Sequence, residues 1–97
     1  MSDKLTIIAK IEAKAEKLDE VKSAVLKLIE PTRKEQGCIQ YDLHQENEKA
    51  EVFIFVENWE SQALWDAHMQ SEHLQRFIKE TDGLLVDLMV YQMSQII

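Results

Sequence analysis

Hydrophobic and polar residues alternate along the first predicted strand, which runs from Leu5 to Ala13. One face carries four apolar residues: Leu5, Ile7, Ala9 and Ile11. The opposite face carries Thr6, Ile8, Lys10 and Glu12. A period of two residues is typical of a strand with one buried face. This strand is therefore predicted to pack against the core through its first face.

The hydrophobic period then lengthens from two residues to that of a helix. From about Ala15 to Gln36 the apolar positions are Leu18, Val21, Val25, Leu28 and Ile29. This spacing indicates an amphipathic helix, predicted to be the longest of the chain. Pro31 is expected to kink its last turn or to force a short restart, because proline lacks an N–H and its ring clashes with the preceding turn. Gly37 is expected to end the helix.

Two further strands are predicted to form a hairpin. In the segment Cys38 to Gln45, apolar and polar residues alternate, and the polar stretch Glu46 to Glu51 can reverse the chain. The second arm, Val52 to Trp59, is apolar on both faces until Glu57. Strands of this kind are central in a sheet or have their outer face covered by another subunit.

The last third of the chain predicts two short helices and a final strand. Ser61 and Ser71 each precede a helical pattern as candidate N-caps, and the chain breaks at Asp82-Gly83. Leu84 to Met93 is a strand with apolar residues on both sides. The resulting order, β-α-β-β-α-β, predicts an α+β, ferredoxin-like split βαβ fold, an antiparallel sheet with helices on one face. The bare apolar face predicts a homodimer.

Composition narrows the class of protein. A chain of 97 residues predicts a single domain, residues 1–97. The 11 Lys and Arg against 18 Asp and Glu give a net charge of -7, which disfavours nucleic acid and anionic membranes as partners. The single cysteine, Cys38, excludes an internal disulfide, and neither a signal-peptide pattern nor a long apolar run is visible. The expected location is cytoplasmic.

The order of motifs along the chain resembles a known family. The motifs are Glu30-Pro31-Thr32-Arg33-x-Glu35-x-Gly37-Cys38-x-x-Tyr41-x-Leu43, Phe55-x-Glu57-x-Trp59, Ala63-Leu64, His68 and Ser71-Glu72-His73. Together they resemble the antibiotic biosynthesis monooxygenase (ABM) domain family, in its quinol monooxygenase-like branch, over nearly the whole chain. The resemblance implies a dimeric α+β barrel whose two sheets face each other, with a pocket between sheet and helices in each subunit. It also implies oxidation of phenols or quinols by molecular oxygen without metal, flavin or haem.

His68 is the candidate catalytic residue. A cofactor-free oxygenase needs a base that converts its substrate to an electron-rich anion, and imidazole titrates near neutrality. His68 matches the histidine position of the family motif and stands beside apolar neighbours. The alternative interpretation is that His68 caps a helix end or binds a loop carbonyl.

Six other residues are candidates for substrate binding. They are Tyr41, Glu57, Trp59, Trp65, His73 and Phe77. Aromatic walls suit flat apolar substrates, although core packing remains the alternative for the aromatic residues. Glu57 stands on an otherwise apolar face, so it must find a partner such as Arg33 or hold its proton, and a structural ion pair is the alternative. His44 shares a polar strand face and could also be solvated or a dimer contact.

Metal and cofactor sites are not expected. His68 and His73 are five residues apart, which would place them on different sides of one helix, and Cys38 is the only cysteine. The predicted function is a cofactor-independent monooxygenase that oxidises a small quinol, phenol or polycyclic aromatic. Two alternatives stay open: a non-catalytic dimer that binds an aromatic metabolite, and a small-metabolite isomerase on the same scaffold.

Overall fold

The computed structural model describes residues 4–97 and confirms the predicted order of strands and helical regions. The strands are β1 (Leu5–Ala13), β2 (Cys38–Gln45), β3 (Val52–Trp59) and β4 (Leu85–Met93). The helices are α1 (Leu18–Leu26), α2 (Ile29–Arg33), α3 (Gln62–Met69) and α4 (Glu72–Glu80), with a 3-10 turn at Ala15–Lys17. Within residues 4–97, the helices are all too short or too polar to cross a bilayer.

The four strands form one antiparallel sheet in the order β2-β3-β1-β4. The register places Glu57 beside Ile7 on one side and beside Tyr41 on the other. Residues at every second position of β1 are buried, as the alternation predicts, and they belong to the same core as buried residues of the helices. The helices thus cover one sheet face, and the predicted ferredoxin-like α+β fold is confirmed.

The helical segment predicted from about Ala15 to Gln36 is divided, and the short restart expected at Pro31 is present as α2, but the break comes earlier than Pro31. The chain forms the 3-10 turn, α1 and α2, with a break at Lys27 and Leu28. Pro31 lies in the first turn of α2, where a backbone N–H has no partner inside the helix and its loss costs little. The break therefore comes before Pro31, so that the proline helps to begin α2.

The edge strand β4 leaves much of its apolar surface exposed in the single chain. Leu88 and Val90, on the helix side of the sheet, are 52% and 43% exposed. Met89 and Tyr91, on the opposite side, are 41% and 48% exposed. The sequence correctly indicated apolar residues on both sides of this strand. Within residues 4–97, β4 is an edge strand that pairs only with β1.

The sheet face opposite the helices combines apolar and polar residues. Ile8, Ile54 and Val56 are half-buried there. A row of hydrogen bonds crosses the neighbouring strands: the Thr6 hydroxyl donates to Asn58 Oδ1 at 2.6 Å, and the Asn58 amide donates to Gln40. In the described chain no helix covers this face.

Gly37 connects α2 to β2 in a conformation that favours glycine. Its φ is +85°, and a Cβ at this position would lie 2.8 Å from Leu64 Cβ on α3. We expect Gly37→Ala to lower the free energy of unfolding by roughly 2 kcal/mol, because it adds overpacking to the cost of a positive φ. Urea denaturation measures this change.

Gly83 offers a matched control for that substitution. It has a φ of +79°, but beyond its chain neighbours no atom lies within 4 Å of the position that a Cβ would occupy. Gly83→Ala should therefore cost roughly 1 kcal/mol, the backbone contribution alone. Equal costs for the two variants would show that α3 moves freely away from Gly37.

Candidate active site

A cavity of about 100 Å³ lies between the sheet and the helices. All four strands contribute to its wall: Ile7, Ala9, Ile11, Tyr41, Phe55, Glu57, Leu88 and Val90. The helical side contributes Leu28, Trp65, His68, Met69, Leu74, Phe77 and Ile78. The wall is thus apolar apart from the hydroxyl, carboxyl, imidazole and indole N–H groups of Tyr41, Glu57, His68 and Trp65.

His68 is fixed in the cavity wall by aromatic neighbours. It lies in the last turn of α3, a helix capped at its start by Ser61 Oγ, which accepts from the Leu64 N–H. Only 2% of its surface is exposed. Its ring centroid is 4.8 Å from that of Trp59 and 5.7 Å from that of Tyr41. Packing therefore holds the imidazole in one orientation.

A single carboxylate oxygen connects His68 to His73. Glu35 Oε2 lies 2.6 Å from His68 Nδ1 and 2.7 Å from His73 Nε2. An ionised carboxylate only accepts hydrogen bonds, so this network assigns an N–H to each of the two facing nitrogens. In neutral His68 the other nitrogen, Nε2, then carries no hydrogen and is able to accept a proton.

The surroundings of His68 also keep it neutral. Burial lowers the pKa of His68 from its ordinary value, and the hydrogen bond with Glu35 opposes that shift only in part. A neutral imidazole is the form that can act as a base. The hydrogen bond with Glu35 thus orients the imidazole, and burial keeps it in the neutral form that proton abstraction requires.

The expectation that His68 and His73 point to different sides was wrong. The spacing rule applies within one continuous helix, whereas α3 ends at Met69 and α4 begins at Glu72. Ser71 caps the new helix by accepting from the Leu74 N–H. The chain turns between the two helices, and both imidazoles converge on Glu35.

Glu57 is a buried carboxyl group in the floor of the cavity. It is 4% exposed, and its Oε1 accepts a hydrogen bond of 2.9 Å from Trp59 Nε1. Arg33, a partner suggested by the sequence, instead donates to the Tyr41 carbonyl oxygen and to Asp42. Burial raises the pKa of Glu57 to about 7, because the charged form loses its water. A substantial fraction of Glu57 is therefore protonated at neutral pH.

The predicted site residues fall into two groups by position. Five of them line the cavity: Tyr41, Glu57, Trp65, His68 and Phe77. Trp59 is fully buried behind His68, and His73 reaches Glu35 without lining the cavity. His44 is exposed on the far side of the sheet, so His68 is the histidine that faces the cavity.

Glu35 is the functional candidate that sequence reasoning missed. It follows α2 in a segment whose role depends on contacts 33 and 38 residues further along the chain. The available signal was its place in the Arg33-x-Glu35-x-Gly37 motif. No local pattern could indicate that its carboxylate faces two histidines, since hydrophobic periodicity does not report on such distant contacts.

A family model described as antibiotic biosynthesis monooxygenase matches residues 4–80 of the chain. The chain belongs to the antibiotic biosynthesis monooxygenase family. The family resemblance indicated by the motifs is therefore confirmed. The matched span of this ABM protein includes Glu35, Glu57, His68 and His73.

Relatives and a solved structure support the same assignment. "Putative monooxygenase YcnE" of Bacillus subtilis is 31% identical over 81 residues, covering 84% of the ABM protein and 85% of YcnE. The Synechocystis protein sll1783 is 27% identical over 96 residues, and the ABM protein spans only 65% of its length. The crystal structure of PA3566 from Pseudomonas aeruginosa is 33% identical and superposes with a TM-score of 0.94, covering 100% of the ABM protein and 98% of PA3566.

Proposed function

We propose that this ABM protein is a cofactor-independent monooxygenase that oxidises a single-ring quinol or phenol with molecular oxygen. The observation that carries the proposal is the neutral, Glu35-oriented His68 in the wall of an apolar cavity. Family membership supports a monooxygenase. The aromatic wall suits a flat substrate.

The size of the cavity supports a small substrate. Its volume of about 100 Å³ is below the roughly 300 Å³ at which drug-sized sites begin. It is closer to the roughly 150 Å³ of an engineered apolar cavity that holds benzene. Among the substrates considered from the sequence, a one-ring quinol or phenol therefore fits better than a polycyclic aromatic.

In the proposed reaction, His68 Nε2 removes a phenolic proton. The resulting anion gives one electron to oxygen, and the substrate radical and superoxide recombine to form a carbon–oxygen bond. Cleavage of the oxygen–oxygen bond then releases water. A quinol and one O₂ thus yield a hydroxyquinone and one water, so the substrate supplies every electron. Protonated Glu57 and the Tyr41 hydroxyl are hydrogen-bond donors in the same wall and would stabilise the developing oxyanion.

A homodimer formed through the uncovered sheet faces is part of the proposal. Ile8, Ile54 and Val56 form an apolar centre on that face, and Tyr91 on β4 extends it to the sheet edge. Apolar patches of this kind usually mark an interface in a soluble protein. Sedimentation of the intact chain measures this association directly.

Oxygen consumption tests the proposed function. Metal-stripped protein should consume oxygen with hydroquinone and methylhydroquinone above the rate of boiled protein, and much less with an anthracene diol that exceeds the cavity. Mass spectrometry after reaction under ¹⁸O₂ should show one labelled oxygen atom in the initially released product. Saturable hydroquinone binding without uptake would instead favour the binding dimer, and turnover under strict anaerobiosis would favour the isomerase.

A further inference from the structure

We propose that Glu35, His68 and His73 form a binding site for a divalent transition-metal ion. Each residue offers one ligand atom, and the three atoms lie within 4.8 Å of one another. Two imidazole nitrogens and a carboxylate oxygen are donors that suit Zn²⁺, Co²⁺, Ni²⁺ or Fe²⁺, whereas Mg²⁺ and Ca²⁺ prefer all-oxygen sites. The predicted absence of a metal rested on the separation of His68 from His73, which the structure overturns.

The distances require only a small opening of the cluster. Glu35 Oε2 lies 2.6 Å from His68 Nδ1 and 2.7 Å from His73 Nε2. Ligands placed about 2.0–2.2 Å from a zinc-like ion are roughly 3.0–3.5 Å from one another. Each of the two Glu35–His pairs must therefore separate by somewhat less than about 1 Å, while the two imidazole nitrogens already lie within 4.8 Å of each other. The metal would take the place of the hydrogens that the two nitrogens now direct at Glu35, and each neutral imidazole would carry its hydrogen on its other nitrogen.

The surroundings of the cluster favour a cation. In residues 4–97, the side chain of Glu35 bonds only the two histidines, and neither Lys nor Arg neutralises it. The whole chain carries a net charge of -7. A divalent ion would supply the missing positive charge at a partly buried carboxylate.

Burial gives the site one rigid ligand and two accessible ones. The side chain of His68 is 3% exposed and lies against Trp59. The side chains of Glu35 and His73 are 17% and 20% exposed, so an ion can reach the cluster from solvent and keep water as further ligands. Because the imidazole of His68 is already held in place, less conformational entropy is lost when an ion binds.

Metal binding would compete with the proposed reaction. The base and the metal site use the same Glu35 and His68 atoms, and a bound ion would replace the direct hydrogen bond between them. Loading the site should therefore suppress oxygen uptake in proportion to occupancy. This consequence rests on the proposed function, whereas metal binding itself does not.

Titration of the metal-free chain with CoCl₂ tests the site, with the visible absorption of bound Co²⁺ as the readout. The parent should bind one equivalent per chain and release it to competing ZnCl₂. Glu35→Gln and His73→Gln should each bind more than about 100-fold more weakly, since even outer-shell changes cost 10–100-fold. His44→Gln, which alters an exposed histidine on the far sheet face, should bind like the parent.

The outcomes separate this proposal from the proposed function. No Co²⁺ absorption in the parent, parent-like affinity in both site variants, or loss of binding in His44→Gln would overturn the metal site. Circular dichroism of the metal-free variants checks that weak binding does not come from unfolding. The Co²⁺ signal needs no substrate, so an inactive chain that binds Co²⁺ would leave this proposal standing and remove the other.

Discussion

Replacing His68 with glutamine is expected to lower kcat/KM for quinol oxidation by about 10²–10⁴-fold, the usual contribution of a positioned general base. Glutamine keeps a polar side chain near Glu35 but offers no nitrogen that takes up a proton near neutral pH. The wall around His68 is apolar, so a substitute water is poorly placed to act as the base. Steady-state oxygen uptake at several hydroquinone concentrations measures the change.

Two other variants show whether the lower kcat/KM results from removing His68 as the base. His44→Gln removes an exposed histidine on the opposite face of the sheet and should leave kcat/KM unchanged, and sedimentation checks that its association matches that of the parent. Glu35→Gln leaves His68 in place but removes its ionised partner, so it should cause an intermediate loss. Thermal unfolding of each variant establishes that it is folded. Parent-level turnover by folded His68→Gln would exclude His68 as the base.

The periodicity of the sequence was enough to predict most of the fold. Alternation identified β1, because a strand with one buried face has apolar residues at every second position. The polar segment between β2 and β3 identified the hairpin. The break at Lys27 and Leu28 does not interrupt the hydrophobic pattern of the sequence. The apolar period continues across it, and the tertiary packing of two short helices decides where the first one ends.

The candidate site was predictable only in part, for a related reason. Tyr41 and Glu57 could each be assigned to an apolar strand face, because strand faces follow from alternation. That these faces meet the helices and that the two residues lie side by side in the sheet came only from the structure. The cluster of Glu35, His68 and His73 could not be predicted in this way. It depends on the turn between α3 and α4 and on the conformation of Gly37, which together set distances that no local pattern encodes.

Replacing Glu57 with glutamine is expected to raise the free energy of unfolding at pH 8 by about 3 kcal/mol. Burial raises the pKa of Glu57 in the folded protein from an ordinary value of 4.5 to about 7. Each unit by which the pKa differs between the folded and unfolded states corresponds to about 1.4 kcal/mol of stability. Glutamine can still accept the hydrogen bond from Trp59 and never becomes charged.

The sign of the effect follows from which state binds the proton more tightly. Because the folded pKa of Glu57 is the higher one, its stabilising contribution is fully present below pH 4.5 and is lost as the pH rises through about 7. The parent and Glu57→Gln should therefore have similar free energies of unfolding at pH 4.5 and differ most above pH 7. Urea denaturation at a series of pH values measures that difference, with exposed Glu60→Gln as the control. A difference that stays constant with pH would show that Glu57 is ionised in the folded protein, and the carboxyl could then not serve as a hydrogen-bond donor to the substrate.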